Sequence, residues 1–176
     1  LSELADLFVL DGFAVAHRST ASVSGVARFI PAFAGLLLEK EIVGLSKATE
    51  NPKKPFVVML GGVKMETKIP VLKNLLSKAD KILLGGGIAN TLLAAKGYAV
   101  GQTVIDENFK REILTYAGKD KIIAPVDVVV GEKNGKNFKV VKVDQDFKVP
   151  AGQGVYDIGP ETIRLFSEQV KNAETL

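Results

Sequence analysis

The sequence predicts an α/β protein: a parallel sheet with helices on both faces, Rossmann-like, and incomplete at both ends. Three observations predict it. Short runs of β-favouring residues (PFVVML, KILL, KIIAPVDVVV) alternate with stretches of helical periodicity. These runs are continuously apolar, as strands buried on both faces are, and do not alternate apolar with polar residues. Glycine groups, Gly61-Gly62 and Gly85-Gly86-Gly87, stand between a strand and the helix that follows it. The 176 residues are 47% hydrophobic and 24% charged, enough to bury a core without disulfide or metal support.

In chain order, ADLFVLDGF reads as a short strand entering a glycine turn, and HRSTASVSG as a loop or helix entry. From Pro31 to Thr49 the apolar residues Phe33, Leu37, Leu38, Ile42 and Leu45 recur at helical spacing, with Pro31 suited to a helix start. ENPKKP then stops the helix, because a residue before proline is pushed out of the α region, and serves as the linker. PFVVML is a buried-type strand. TKIPVLKNLLSKAD is a helix in which Pro70 is tolerable if the helix begins near Thr67, since first-turn amides have no helical partner. KILL is a strand, the glycine triplet a turn, and IANTLLAAKG a helix with Gly97 just past its end. ENFKREILTYAG is a further helix and KIIAPVDVVV one more strand. The Asn134-Gly135 pair marks a tight hairpin, with KNFKVVKV returning. GPETIRLFSEQVKNA is the last helix.

Composition excludes several chemistries. There is no cysteine and one histidine, His17, which removes disulfides, thiolate zinc sites, multi-histidine metal sites and a cysteine nucleophile. The net charge of +3 comes from scattered lysines, so nucleic acid is not an expected partner. FIPAFAGLLL is broken by Pro31 and too short to span a bilayer, so no membrane association is expected and a cytoplasmic setting is the default. The chain begins with Leu and ends on NAETL, from which truncation at both ends is expected.

In parallel sheets ligands bind beyond the carboxyl ends of the strands, where both glycine groups fall. Bare backbone there can approach a ligand closely, and helix-start amides can point at an anion. Lys64 and Lys68, one helical turn apart, would add two compact cations. Plain readings remain open: such glycines are often simple turns, and lysines at this spacing are often solvated helix surface. Formal motifs do not decide. GGVKMETK is not a P-loop, because Glu66 holds the second glycine position, and GGGIAN lacks the last glycine of the dinucleotide fingerprint at Asn90.

The stretch PFVVMLGGVKMETKIPVLKNLLSKADKILLGGGIANTLLAAKGYAVG resembles the nucleotide-binding half of phosphoglycerate kinase, with its LGG-x-K-x-x-x-KI, strand and GGG-x-A. DLFVLDGFAVAHRSTAS is similar to that family's D-x-F-V-N-D-A-F-x-x-x-H-R loop, PAFAGLLLEKEI to its interdomain helix, IIAPVDVVV to its P-V-D strand and GVYDIGPETIRLF to its D-I-G-P helix entry. The resemblance implies the two-lobed phosphoglycerate kinase fold and reversible phosphoryl transfer between 1,3-bisphosphoglycerate and ADP, giving 3-phosphoglycerate and ATP with Mg2+. It implies that residues 1–30 end the phosphoglycerate-binding lobe, 31–54 form the interdomain helix and linker, and 55–176 belong to the nucleotide lobe. Lys68 is then expected to be catalytic, steadying the phosphoryl group in flight, and Lys64 to contact the nucleotide phosphates. Gly61, Gly62, Val63, Gly85, Gly86 and Gly87 are expected to approach the nucleotide by backbone, and Tyr156 to stack against the adenine or reshape its pocket. Arg18 is expected to clamp the phosphate of phosphoglycerate, with His17 in support.

Departures from the family pattern are Leu10 before Asp11, Thr20, Glu66-Thr67 before the second lysine, and Val155-Tyr156. The family's D-F-N-V-P, H-L-G-R-P, N-G-P-x-G and G-G-G-D motifs do not occur, so an internal portion is expected, with the magnesium ligand outside this chain and no metal-binding residue within it. Such a chain would bind nucleotide weakly and be catalytically incomplete; the full-length protein is expected to be a monomer. The alternatives are a non-catalytic nucleotide-binding module or a purely structural fragment. Residues 1–30 are expected to lack sheet partners or to pair with another chain.

Overall fold

The computed structural model describes residues 1–176, which form two compact units, Leu1–Asn51 and Pro52–Leu176. In the first unit β1 (Phe8–Leu10) pairs in parallel with β2 (Ala32–Ala34), and α1 spans Leu36–Glu50. Two expectations are corrected here. Residues 1–30 do find a partner, because Phe8, Val9 and Leu10 align with Ala32, Phe33 and Ala34. The helix starts at Leu36 and not at Pro31, since the residues after the proline are drawn into that ladder. Its start is fixed by Asp11, whose carboxylate accepts from the amides of Leu37 (2.7 Å) and Leu38 (3.0 Å). Capping from a distant loop is not visible in local periodicity.

The second unit contains β3 (Val57–Leu60), α2 (Met65–Leu76), β4 (Lys81–Leu84), α3 (Gly86–Ala95), α4 (Lys110–Leu114), β5 (Ile122–Ile123), β6 (Asp127–Gly131), β7 (Lys139–Lys142), β8 (Gly154–Ile158) and α5 (Pro160–Lys171). Strands β3, β4 and β5 form a parallel sheet in that order, covered on both faces. Alternate side chains divide between the covers. Val58, Leu60, Ile82 and Leu84 face Met65, Ile69, Leu72, Ile88 and Leu92 from α2 and α3, while Val57 and Leu83 face Phe166 of α5. The α/β class with helices on both faces of a parallel sheet therefore holds.

A second sheet departs from it. Strands β7, β6 and β8 are antiparallel. The run KIIAPVDVVV supplies two strands in different sheets, because Pro125 cannot continue a ladder and the chain crosses there from β5 to β6. Strand β6 lies in the middle of its sheet and is buried along most of its length, so it reads like a parallel-sheet strand. The hairpin that returns it is longer than the Asn-Gly signal suggests. Glu132 donates to the Lys136 carbonyl, Gly135 donates to Glu132, and both Gly135 and Asn137 have positive φ.

Helix α3 lies between the two sheets, which explains why it is apolar all round. Ile88, Ala89 and Leu92 join the parallel-sheet core, and Leu93 and Ala94 join a second core with Val128, Val130 and Val155. Gly97 ends the helix as expected: at φ +93° its amide donates to Ala94, and that of Tyr98 donates to Leu93. Other boundaries move. Helix α2 begins at Met65, placing Pro70 in its second turn, where it leaves the Glu66 carbonyl without the usual amide donor. Helix α3 begins inside the glycine triplet, whose first member alone is outside it. ENFKREILTYAG is a 3-10 turn, Glu107–Phe109, followed by the short α4.

Candidate phosphate-binding site

The two glycine corners interlock at the carboxyl ends of β3 and β4. Gly85 donates to the Leu60 carbonyl (3.0 Å) and Ile88 donates to Gly62 (3.2 Å). Gly62 at φ +108° and Gly86 at φ +55° hold conformations that side chains rarely adopt. Gly87 is glycine for lack of room: a Cβ there would lie 2.9 Å from both the Gly62 carbonyl oxygen and the Val63 Cα. The backbones of 62–63 and 86–87 thus touch directly.

This packing leaves amides free. Gly86 and Gly87 open α3, and Gly62 and Val63 precede α2; none of their N–H groups finds an acceptor in the protein. Two helix N-termini converge on one place, each with the partial positive charge of unpaired amides. Lys68, half-buried in the first turns of α2, brings its Nζ within 3.9 Å of the point where a Gly62 Cβ would stand. Lys64 is the exposed N-cap of α2, and its carbonyl accepts from the Thr67 hydroxyl (3.0 Å). Neither lysine is neutralised by an ion pair. Seven of the residues singled out in the sequence, Gly61, Gly62, Val63, Lys68, Gly85, Gly86 and Gly87, are therefore together, and Lys64 adjoins them as the cap. Chemically the arrangement sets amides that can donate to several oxygens beside an ammonium, the donor set an anion takes.

Beside the corners lies a cleft of about 170 Å³ bounded by Gly61, Gly85, Gly86, Asp157, Ile158 and Phe166. Ligand pockets commonly measure ~300–1,000 Å³, so this cleft encloses only part of a nucleotide-sized molecule. Sequence reading missed Asp157 as a member, although it stands in the D-I-G-P run; which strand ends meet is a tertiary fact. Tyr156 is not among the lining residues. Its ring lies edge-on against Phe138, with centroids 5.7 Å apart, and Phe138 in turn occupies the space that Gly131 leaves open.

Another missed residue is Asp127, which is 2% exposed. Its carboxylate accepts from the Glu161 amide (3.0 Å), the Thr162 amide (2.7 Å) and the Thr162 hydroxyl (2.6 Å), capping α5. Burial pushes this carboxyl up, but the Thr162 hydroxyl and the two amides outweigh it and hold it below the ordinary value. In the first unit His17 and Arg18 are exposed and follow a 3-10 turn, Phe13–Val15; the Arg18 amide donates to Val15 (2.9 Å), and its guanidinium makes no ion pair.

The family model described as phosphoglycerate kinase matches residues 1–176. The chain belongs to the phosphoglycerate kinase family. A phosphoglycerate kinase of Pelotomaculum thermopropionicum is 45% identical over 183 aligned residues, covering 100% of this chain and 46% of that protein. One of Staphylococcus carnosus is 44% identical over 180, covering 99% and 44%. Among solved structures, the phosphoglycerate kinase of Coxiella burnetii matches 98% of this chain and 46% of its own at TM-score 0.79 and 39% identity. That of Pyrococcus horikoshii matches 99% and 45% at TM-score 0.82 and 32% identity. The chain thus spans a little under half the length of the family members it matches.

No helix is long and apolar enough to cross a membrane. No three His, Cys, Asp or Glu side chains are grouped to hold a metal ion.

Proposed function

We propose that this chain is part of a phosphoglycerate kinase, which moves a phosphoryl group reversibly between 1,3-bisphosphoglycerate and ADP, and that it supplies the nucleotide phosphate cradle. One observation carries the reading: two glycine corners in backbone contact present unpaired amides beside the Lys68 ammonium. Phosphoryl transfer asks mainly for positioning and charge stabilisation, which fixed amides and a lysine can supply. In this reading the free amides of Gly62, Val63, Gly86 and Gly87 donate to phosphate oxygens. Lys64 neutralises the polyphosphate at its outer side, and Lys68 stabilises the charge that develops on the phosphoryl group. Tyr156, next to Asp157 in β8, stacks against the adenine or reshapes its pocket. Arg18, whose planar fork suits phosphate, holds phosphoglycerate with His17 beside it.

The domain reading follows the same line: 1–30 as the end of the phosphoglycerate lobe, 31–54 as interdomain helix and linker, 55–176 as most of the nucleotide lobe. Mg2+ enters with the nucleotide, its protein ligand lying outside this chain. A cytoplasmic setting and a monomeric full-length protein complete the proposal. Alone, the chain binds ADP or ATP weakly and turns over little or not at all.

Calorimetric titration of this chain with ADP tests the reading. Saturable binding that weakens about tenfold in Lys68→Ala, with a smaller loss at raised salt, is expected for an ion contact that solvent still reaches and salt screens. An ADP titration without heat or saturation would refute the cradle. Parent-like turnover in a coupled kinase assay would refute the claim that the chain is catalytically incomplete.

A further inference from the structure

Thr91 is fully buried, at 0% exposure, in the second turn of α3 on its side away from solvent. Its hydroxyl has both roles filled. It donates to the Gly87 carbonyl (2.8 Å), and it accepts from the amide of Asp106 (3.1 Å). The Asp106 carboxylate continues the chain of bonds by accepting from Asn108, at the start of the 3-10 turn that leads into α4. This is the one side-chain hydrogen bond made to the Gly85–Gly87 corner, and it falls on the residue whose backbone touches Gly62 and Val63.

The corner needs such an anchor. Glycines have the widest backbone freedom of any residue, so a first helical turn built from Gly86 and Gly87 is poorly fixed by its own chain. Amides stabilise an anion well only if they are already aimed, because reorienting them on binding costs part of the gain. A hydroxyl bonded four residues back also tilts the local helix, which sets where the preceding amides point. We propose that Thr91 is a positioning residue for the phosphate cradle, fixing the direction of the Gly86 and Gly87 amides by tying the first turn of α3 to the Asp106 segment. This inference rests on the cradle reading given above.

A series at one position tests it. Thr91→Val keeps shape and removes the hydroxyl; Thr91→Ser keeps the hydroxyl; Thr91→Ala is a second hydroxyl-free variant should valine not fold. Folded fraction is read by circular dichroism, ADP affinity by calorimetry, and the Gly62, Gly86 and Gly87 amides by proton–nitrogen NMR. The expected result is a loss of ADP affinity of about tenfold in the folded hydroxyl-free variant, the scale of one hydrogen bond, and recovery to within about twofold in serine. The glycine amide resonances should move in the hydroxyl-free variant and return in serine. Unchanged affinity in a folded hydroxyl-free variant overturns the proposal, as does an equal loss in serine. If neither hydroxyl-free variant folds while serine does, the hydroxyl serves stability alone and the proposal is overturned too. Should the unsubstituted chain bind no ADP, the cradle reading fails separately; the positioning claim then stands or falls on whether those amide resonances move.

Discussion

Gly87→Ala sets two effects of opposite sign against each other. Gly87 lies in α3 without a positive φ, so alanine there is favoured by helix propensity by ~0.5–1 kcal/mol. Against that, the new Cβ would stand 2.9 Å from the Gly62 oxygen and 2.9 Å from the Val63 Cα. Comfortable contacts between such atoms begin near ~3.5 Å, so the corners must part by roughly 0.6 Å. Both neighbours are backbone, pinned by the Ile88-to-Gly62 hydrogen bond (3.2 Å), and no side chain can swing aside to relieve the clash. Overpacking of this kind costs about 1–3 kcal/mol. With both neighbours fixed the clash falls toward the upper part of that range and outweighs propensity, and a net destabilisation of up to about 2.5 kcal/mol is expected. The same parting re-aims the four unpaired amides, so ADP affinity should fall at least about tenfold, the scale set by losing one or two hydrogen bonds. Urea denaturation followed by circular dichroism gives the first quantity, and calorimetry at a urea-free, fully folded condition gives the second. Gly44→Ala is the control: Gly44 sits in α1 with nothing within 4 Å of a Cβ, and it should gain stability by propensity alone. A Gly87→Ala protein at least as stable as its parent, with an unaltered ADP isotherm, would refute the interlocked-corner reasoning.

Three further outcomes are expected. Asp127→Asn should lower stability by about 1–3 kcal/mol at pH 7, because the part-buried Glu161 amide and the buried Thr162 donors lose a charged acceptor. Since the Asp127 carboxyl is held below its ordinary value in the folded chain, its contribution is present above the unfolded value near ~3.9 and fades as pH falls through the lower folded value. The two proteins should therefore converge in urea titrations run below about pH 4, and a difference unchanged by acid would count against the assignment. Leu72→Ala, at a position with 0% exposure between α2 and the parallel sheet, should cost about 2–5 kcal/mol in the same assay. Gly97→Ala places a side chain at φ +93° with open space around it, so it should cost on the order of 1 kcal/mol through backbone strain and leave ADP binding untouched.

Much of this chain could be read from residues in order. The strand KILL, the glycine stop at Gly97 and the proline start at Pro160 are local signals, set by φ/ψ preference and hydrophobic period, and each falls where its residues put it. The lysine–glycine constellation was legible as a set because its members sit within two short windows. Longer-range partners decided the rest. The PAFAGLLL run is helical in its period, yet Ala32–Ala34 becomes a strand because Phe8–Leu10 lies alongside and Asp11 caps the helix beyond. The apolar run through Pro125 divides between sheets because ladder partners, and not composition, decide which sheet a buried strand joins. That Gly87 cannot carry a side chain, that Thr91 reaches both Gly87 and Asp106, and that Asp157 borders the glycine corners all depend on atoms distant in sequence. By itself the sequence determined the type of the segments whose period and end signals agree, such as KILL and the helix that Gly97 stops, and which residue types are available for anion binding, since those depend on neighbours along the chain. Only the tertiary structure decided sheet membership, helix starts and the meeting of the two corners, because each is set by steric exclusion and hydrogen bonding between segments that local preference does not see.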